Sequence, residues 1–473
     1  MPDKCDQAMG RVRNIHFVGI GGAGMSGIAE VLHNLGYKVT GSDMRENSLT
    51  RHLEQLGIKV AYGHMAAHVN NSDVVVYSSA ITQDNPELAS ARASRIPVIP
   101  RAEMLAELMR FQQVIAIAGT HGKTTTTSLV ASVLTEGGLD PTYVIGGLLN
   151  SSGSHAWLGE GKYMIAEADE SDASFLHLQP VIAVLTNIDA DHMETYGGDF
   201  ARLQEKFLEF LQQLPFYGLA VVCRDDKNTE AILDRIIKPV MTYGIDDRAD
   251  IRAHEIHQQG ARTWFSVSRK GEENWMSIEL NLPGLHNVRN ALAAITVAHQ
   301  LGVSEEHIMH ALKKFQGIAR RFQILGEVMI SDHYVLVIDD YAHHPTEISE
   351  TLAAIHIGWP GSRILVVFQP HRFSRTRDLF DEFVQVLSGI DVLFLLDVYP
   401  AGEKPLAGAD SRSLCRAIRQ RGQVNPIFVE DREQLPELLE NVVTDKDVLL
   451  ILGAGDIGSF GTGLVEHFSA VTH

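Results

Sequence analysis

Apolar residues come along this chain in short continuous runs, separated by stretches in which apolar positions recur at helical spacing. That order predicts alternating strands and helices, and strands apolar on both faces belong to parallel sheets. Asn14–Val18 is the first such run. It is followed by Gly19-Ile20-Gly21-Gly22-Ala23-Gly24, a helical pattern over Met25–Leu35, and a strand near Lys38–Thr40 that leads into Gly41-Ser42-Asp43. Val74–Tyr77 is a further buried strand, and Ile96–Pro100 closes the unit with proline punctuation. Gln113–Ala118 opens another unit, with Thr124–Leu134 as its helix and Tyr163–Ala166 and Val181–Leu185 as strands. Over 240–283 the pattern changes to short alternating segments, Thr263–Val267 and Met276–Leu280 among them, which predicts an antiparallel addition. A helix is expected at Asn287–His299. From Arg320 onward, strands at Val335–Ile338, Arg363–Phe368, Val392–Leu396 and Val448–Leu452 alternate with helices.

At 473 residues the chain is too long for one core. The pattern divides it into three α/β domains: a Rossmann-like domain over 1–106, a central P-loop-type domain with added antiparallel strands over 107–319, and a second Rossmann-like domain over 320–473. Hydrophobic content of 45% and charged content of 21% are those of a water-soluble globular protein. Forty basic residues against 59 acidic ones give a formal charge of −19, which disfavours nucleic acid as a partner. Anionic ligands must then be held by local basic groups. Cys5, Cys223 and Cys415 have no paired spacing, so neither a disulfide framework nor a zinc knuckle is expected. The first residues lack an apolar signal region and no run reaches the length of a membrane span, so a cytoplasmic location is expected.

Two glycine-rich turns carry candidate chemistry. Gly119-Thr120-His121-Gly122-Lys123-Thr124-Thr125 runs from an apolar strand into a helix, the setting in which backbone N–H groups hold phosphate. Its glycines let the backbone wrap oxygens closely, Lys123 places charge on the β- and γ-phosphates, and the Thr124 hydroxyl can ligate Mg²⁺. Full P-loop spacing would put glycine at position 117, which is Ile117, so the loop is a shortened variant; the plain alternative is a glycine-rich strand-to-helix turn with an exposed lysine. The other turn, Gly19-x-Gly21-x-x-Gly24 with Asp43 nineteen residues on, fits a dinucleotide fingerprint. It reads as a nicotinamide site, as a merely tight turn, or as a cradle for the diphosphate of a UDP-sugar. The ATP-type loop in the same chain favours the last.

Acidic and basic groups follow other strands. Glu167, Asp169, Glu170 and Asp172 come after Tyr163–Ala166, and Glu167 is the first choice of metal ligand because it stands nearest the strand end. The alternative is a solvated acidic turn. Asn187, Asp191 and His192 take the same place after Val181–Leu185, which makes His192 a second metal candidate. His371, Arg372, Arg375 and Arg377 form a cationic group whose guanidinium forks suit an anionic substrate and an incoming amino acid, or else a salt-bridged helix surface. Asp339-Asp340-Tyr341 ends a strand, with His343-His344-Pro345 in the turn beyond, which by itself allows a plain proline turn.

Together these segments resemble the Mur ligase family. The resemblance runs over nearly the whole chain. It rests on Gly19–Met25, Tyr77–Ile81, 118–127, Glu167–Asp172, Thr186–His192, Pro283–Asn290, Arg320–Phe322, Asp339–Pro345 and Phe368–Thr376. It implies an ATP-dependent ligase that joins L-alanine to the lactyl carboxylate of UDP-N-acetylmuramate through an acyl phosphate, a cytoplasmic step of peptidoglycan precursor synthesis. By the same resemblance Gly21, Gly22, Ala23, Gly24, Met25, Asp43, Ser78 and Ser79 hold the UDP-sugar. Gly119, Thr120, His121, Gly122, Lys123, Thr124 and Thr125 hold ATP together with His286, Asn290 and Arg321, with Asn290 near the adenine and Arg321 reaching the γ-phosphate. Lys123, Arg321 and His343 are implied to be catalytic, and His371, Arg372 and Arg375 to hold substrate and amino acid. Thr124 and Glu167 hold one Mg²⁺, and His192 helps hold a second. One position departs from the pattern: several relatives carry a carbamylated lysine where this chain has Phe207, and the modification is not transferred to the adjacent Lys206.

The expected partners are UDP-N-acetylmuramate, L-alanine and ATP, with no nucleic acid or membrane, in a monomer or dimer. The nearest rival is a related ligase that attaches a recycled peptide to the same UDP-sugar. From other classes, a nicotinamide oxidoreductase would leave the ATP loop unexplained, and a non-catalytic nucleotide sensor would show no turnover.

Overall fold

The computed structural model describes residues 9–471 apart from Ser79, Phe111, 151–153 and Asp172. It has a three-domain α/β architecture with three mainly parallel sheets. By contact the chain divides into two compact units: Met1–Glu255 with Phe265–Ile278 and Arg289–Gln316, and Ile256–Trp264 with Glu279–Val288 and Gly317–His473.

In the first unit a five-stranded parallel sheet runs in the order Lys59–Tyr62, Lys38–Asp43, Asn14–Val18, Val74–Tyr77, Val98–Pro100. Asn14–Val18 sits at its centre because every residue after Asn14 is buried. The order reverses beside this strand, so the turn that follows it lies at a topological switch point, where open α/β sheets bind ligands. The parallel core of the ten-stranded sheet runs Val240–Gly244, Leu219–Cys223, Ile182–Leu185, Gln113–Ala118, Tyr163–Glu167, Thr142–Leu149. Its central strand, Gln113–Ala118, is buried from Val114 onward. Ser154–Trp157 pairs antiparallel at one edge. Ile251–Gln259, Arg262–Arg269 and Glu272–Leu280 extend the other.

Parts of this sheet differ from the expectation. Val240–Gly244 is a parallel strand, paired with Ala220–Cys223, and Ile251–Gln259 also pairs parallel to it, so the antiparallel extension begins later than residue 240. Thr142–Leu149 escapes a period-two reading because Gly146 and Gly147 interrupt it.

In the second unit a six-stranded sheet runs Gln323–Ile330, His333–Asp340, Val448–Leu452, Ile364–Phe368, Val392–Leu396, Ile427–Val429. Only the first pair is antiparallel, and a bulge between Ile324 and Gly326 obscured that edge strand in the sequence. Alternate residues of the central strands enter two separate cores. Ile338, Phe368, Leu395 and Leu450 pack on one face, and Val337, Val367, Phe394 and Leu449 on the other. Helices cover both faces, which is why these strands read as unbroken apolar runs. Among the described residues no helix is long and apolar enough to cross a membrane.

Candidate active site

The lysine loop is built by its neighbours. Gln113–Ala118 pairs in parallel with Tyr163–Glu167 on one side and Ile182–Leu185 on the other, bringing Ile117 level with Glu167 and Ala118 level with Leu185. The loop, the acidic turn and the segment after Leu185 therefore leave one sheet edge together. Gly119 has φ +125° and Gly122, which precedes the helix Lys123–Glu136, has φ +79°. These are left-handed conformations that side chains disfavour. A Cβ on Gly119 would lie 2.1 Å from Thr186 Oγ1, and one on Gly122 2.6 Å from Asn290 Oδ1.

The segment 186–189 staples the loop in place. Thr120 N donates to Asn187 O at 3.1 Å, and His121 N donates to Asn187 Oδ1 at 2.8 Å. Asn187 Nδ2 returns a bond to His121 O at 3.0 Å, and Asp189 N donates to Thr120 Oγ1 at 2.9 Å. Asn187, read from the sequence beside possible metal ligands, is thus a loop anchor. His121 lies 3.1 Å from Asp189 Oδ2. Thr124 and Thr125 are buried in the first helical turn, whose N–H groups have no intrahelical partner. Asn290 Oδ1 accepts from Thr126 Oγ1 at 3.1 Å, across the helix start from Gly122.

Lys123 folds back over its own loop. Its Nζ donates to Gly119 O at 2.5 Å and Thr120 O at 3.0 Å. It also meets both carboxylate oxygens of Glu170, at 2.8 and 2.7 Å. Burial would lower the Lys123 ammonium, but Glu170, Asp169 and Glu167 outweigh it and hold the group above its ordinary value. Burial raises Glu170 above its ordinary value, while the Lys123 ammonium 2.7 Å away draws it down. Glu170 is fixed from behind by Tyr196, whose hydroxyl donates to its carbonyl at 2.5 Å. Nothing local distinguishes Glu170 from its acidic neighbours, because its partner lies 47 residues away.

Glu167 has a different role in the same turn. Its Oε1 accepts from Gly146 N at 2.7 Å, and a Cβ on Gly146 would stand 3.0 Å from the carboxylate. Asp169 pairs with Arg101 at 2.9 Å; burial would raise it, but Arg101 and Lys123 draw it down. His192 has φ +53° and lies 3.5 Å from Asp191. Oxygen donors such as Thr124 and Glu167 suit a hard divalent cation. Phe207, in place of the lysine of some relatives, is wholly buried against Phe175 at 5.4 Å. Lys206 pairs with Glu209 in the next turn of the same helix.

The first glycine turn is held as tightly. Gly19 and Ile20 donate to Ser42 O at 2.8 and 3.0 Å. Gly21 N donates to Asp43 Oδ2 at 2.9 Å, so Asp43 is tied to the turn itself. Gly22 precedes the helix Ala23–Asn34, in which Met25 is buried. A Cβ on Gly24 would meet Arg101 Nη1 at 2.8 Å, and one on Gly19 would meet Ser78 Cβ at 3.3 Å. Ser79 lies outside the described residues. Beside Ser42 lies Glu87, wholly buried. Its carboxylate accepts from Ser42 Oγ at 2.6 Å and contacts His68 Nδ1 at 2.6 Å, with His16 Nε2 at 3.5 Å and His64 Nδ1 at 3.6 Å. Burial would raise it, but hydrogen bonds from His16, Ser42 and His68 hold it down at about 2.

In the second unit the cationic group and the Asp339–His344 turn share a sheet edge. Arg321 lies over the Tyr341 ring at 4.8 Å, and the rings continue edge to face from Tyr341 to His343 (5.4 Å) and from His343 to His371 (5.8 Å). His371 stacks on Tyr399 at 5.4 Å. Arg372 has φ +72° and donates its N–H to Tyr399 O at 2.9 Å. Arg375 is buried with its Nη1 3.5 Å from His371 O. His344 caps the helix Pro345–Gly358, and Glu347 accepts from the N–H groups of both His343 and His344. His286 lies 3.5 Å from Glu350. Burial lifts Asp339 to about 6 and also raises Asp340.

A third glycine turn, Gly453-x-Gly455-x-x-Gly458, which the sequence reading does not include, follows an apolar run and opens the helix Ile457–Val471. Arg320 fills it. The guanidinium donates to Gly455 O at 3.0 Å and to Gly453 O, and lies 3.3 Å from Asp339. The turn serves as a socket for a protein cation.

Residues 14–113 match the Mur ligase family catalytic domain, 117–298 the Mur ligase middle domain, and 320–455 the Mur ligase glutamate ligase domain. A UDP-N-acetylmuramate–L-alanine ligase of Methylococcus capsulatus is 58% identical over 464 residues, 98% of each chain. A UDP-N-acetylmuramate–alanine ligase of Thermotoga maritima superimposes with a TM-score of 0.82 at 30% identity, covering 97% of this chain and 99% of that one. A murein peptide ligase of Psychrobacter arcticus gives a TM-score of 0.70 at 25% identity, covering 97% and 98%.

Proposed function

The chain belongs to the Mur ligase family, and from that premise we propose that it joins L-alanine to the lactyl carboxylate of UDP-N-acetylmuramate as ATP is cleaved to ADP and phosphate. The observation that carries this reading is the 58% identity to the Methylococcus ligase across nearly the whole of both chains. The recycled-peptide reading is not favoured, since the murein peptide ligase is only 25% identical.

A carboxylate does not condense with an amine unaided, because its oxygen is a poor leaving group. The lactyl carboxylate attacks the γ-phosphorus and ADP leaves, giving an acyl phosphate. The neutral amine then attacks the carbonyl carbon, the tetrahedral adduct expels phosphate, and the amine's proton passes to solvent. The first step brings negative charge onto negative charge, so preorganised cations matter most there. Gly119–Thr125 cradles the phosphates, and Lys123 supplies a positive charge at the loop. Mg²⁺, held by Thr124 and Glu167 with a second ion near His192, would offset phosphate charge. Gly21–Met25, Asp43 and Ser78 hold the UDP-sugar. Arg321 and His343 act on the transferred phosphoryl group and the amine, and His371, Arg372 and Arg375 hold carboxylates. His286 and Asn290 border the nucleotide. Domain boundaries after residues 106 and 319 separate these roles, and the reaction is assigned to the cytoplasm.

The test is phosphate release with UDP-N-acetylmuramate and ATP, adding L-alanine, glycine, L-serine or the recycled tripeptide in turn. Release driven by L-alanine supports the proposal; release driven only by the tripeptide overturns it in favour of the peptide ligase.

A further inference from the structure

The ammonium of Lys123 has three protons, and four acceptors already stand around it: Gly119 O, Thr120 O and the two Glu170 oxygens, all within 3.0 Å. A lysine so engaged cannot also donate to a phosphate. One side of the pair must let go when nucleotide arrives. Glu170 is the fixed partner, because its backbone carbonyl is tied to Tyr196 and its side chain is almost wholly enclosed. Lys123 is the movable one, with a four-carbon stem that can extend.

We propose that Glu170 is a positioning residue: it holds Lys123 folded across the carbonyls of its own loop and competes for it with the phosphates of the nucleotide. This rests on the reading of Gly119–Thr125 as the nucleotide loop. The pair keeps the lysine inside the loop at a defined place, so no search through its rotamers is needed when phosphate displaces the carboxylate. It also sets a threshold, because a weakly charged anion does not outcompete a bidentate carboxylate. Nucleotide affinity in the wild type is therefore lower than the loop could give. A substitution that removes only the charge of Glu170 raises it.

The experiment measures the Kd of ADP with saturating Mg²⁺ by calorimetry for wild type, Glu170→Gln, Lys123→Met and the double variant, each checked for an unchanged melting temperature. Glu170→Gln is expected to bind roughly tenfold more tightly, the loss of one charge-assisted competitor. In the Lys123→Met background the same change is expected to shift Kd less than threefold. A merely structural Glu170 would give weaker binding, which overturns the proposal, as does equal tightening in both backgrounds, which would mean general repulsion of the nucleotide. If Lys123→Met melts early, Glu170→Asp replaces it: Kd falling in the order wild type, Asp, Gln supports competition, and any other order overturns it. ADP binding indifferent to Lys123→Met would instead sink the nucleotide reading of the loop.

Discussion

Gly119→Ala is the smallest change expected to disable nucleotide use. Two separate penalties meet at this position. The backbone sits at φ +125°, a region that costs an L-residue roughly 1–3 kcal/mol. The added methyl would also lie 2.1 Å from Thr186 Oγ1 and 2.9 and 3.0 Å from the backbone O and N of Asn187. Thr186 cannot simply rotate away, since its hydroxyl donates to His121 O at 2.7 Å, and the Asn187 carbonyl accepts from Thr120 N of the loop. Overpacking of this kind adds roughly 1–3 kcal/mol. A combined cost of about 3 kcal/mol falls mostly on the loop's phosphate-ready shape, which corresponds to about a hundredfold rise in the KM for ATP. The assay is alanine-dependent phosphate release against ATP concentration, with UDP-N-acetylmuramate binding measured by calorimetry as a control and expected to stay within a factor of about two. Gly57→Ala is the comparison, because Gly57 has φ +93° but nothing within 4 Å of an added Cβ. It should lose some stability and keep its KM for ATP. A Gly119→Ala enzyme with a KM for ATP within threefold of wild type would refute the reasoning.

Glu167→Gln should lose Mg²⁺-supported turnover by roughly 10²-fold or more, since an amide keeps the shape but not the charge that a hard cation prefers; turnover titrated with Mg²⁺ checks this, and an unchanged profile moves the ligand elsewhere. Removing bicarbonate and CO₂ should leave the rate unaltered, because the position of the carbamylated lysine in some relatives is the buried Phe207; a rate restored by bicarbonate would contradict this. Glu87→Gln should destabilise the first unit at neutral pH. The carboxyl titrates at about 2 in the folded chain against an ordinary 4.5, so its contribution, about 3 kcal/mol, is fully present above pH 4.5 and fades as pH falls through about 2. Urea unfolding of both proteins at neutral and acid pH should show the gap closing, and a gap independent of pH would exclude the charge as its cause.

Many of the central strands and the two glycine-rich turns were legible in the sequence for local reasons, whereas Thr142–Leu149, Leu219–Cys223 and Gln323–Ile330 were not. Strands such as Gln113–Ala118 and Val448–Leu452 are buried on both faces, which forces an unbroken apolar run. A loop that must adopt φ +125° and +79° within four residues admits little but glycine. Among the Mur ligase segments, Gly19–Met25 and 118–127 were legible for the same reason, because each joins such a strand to such a turn. Tertiary structure decided which side chains meet across those edges. Gln113–Ala118 has as its sheet neighbours strands that begin 50 and 69 residues later in the chain. Only that register brings Glu170 rather than Asp169 onto Lys123 and places Asn187 against His121. It also decided that the Gly453 turn, similar in pattern to the Gly19 turn, is filled by Arg320. Periodicity along a chain reports the burial of each segment, whereas charge pairing depends on contacts between segments, which a local pattern does not encode.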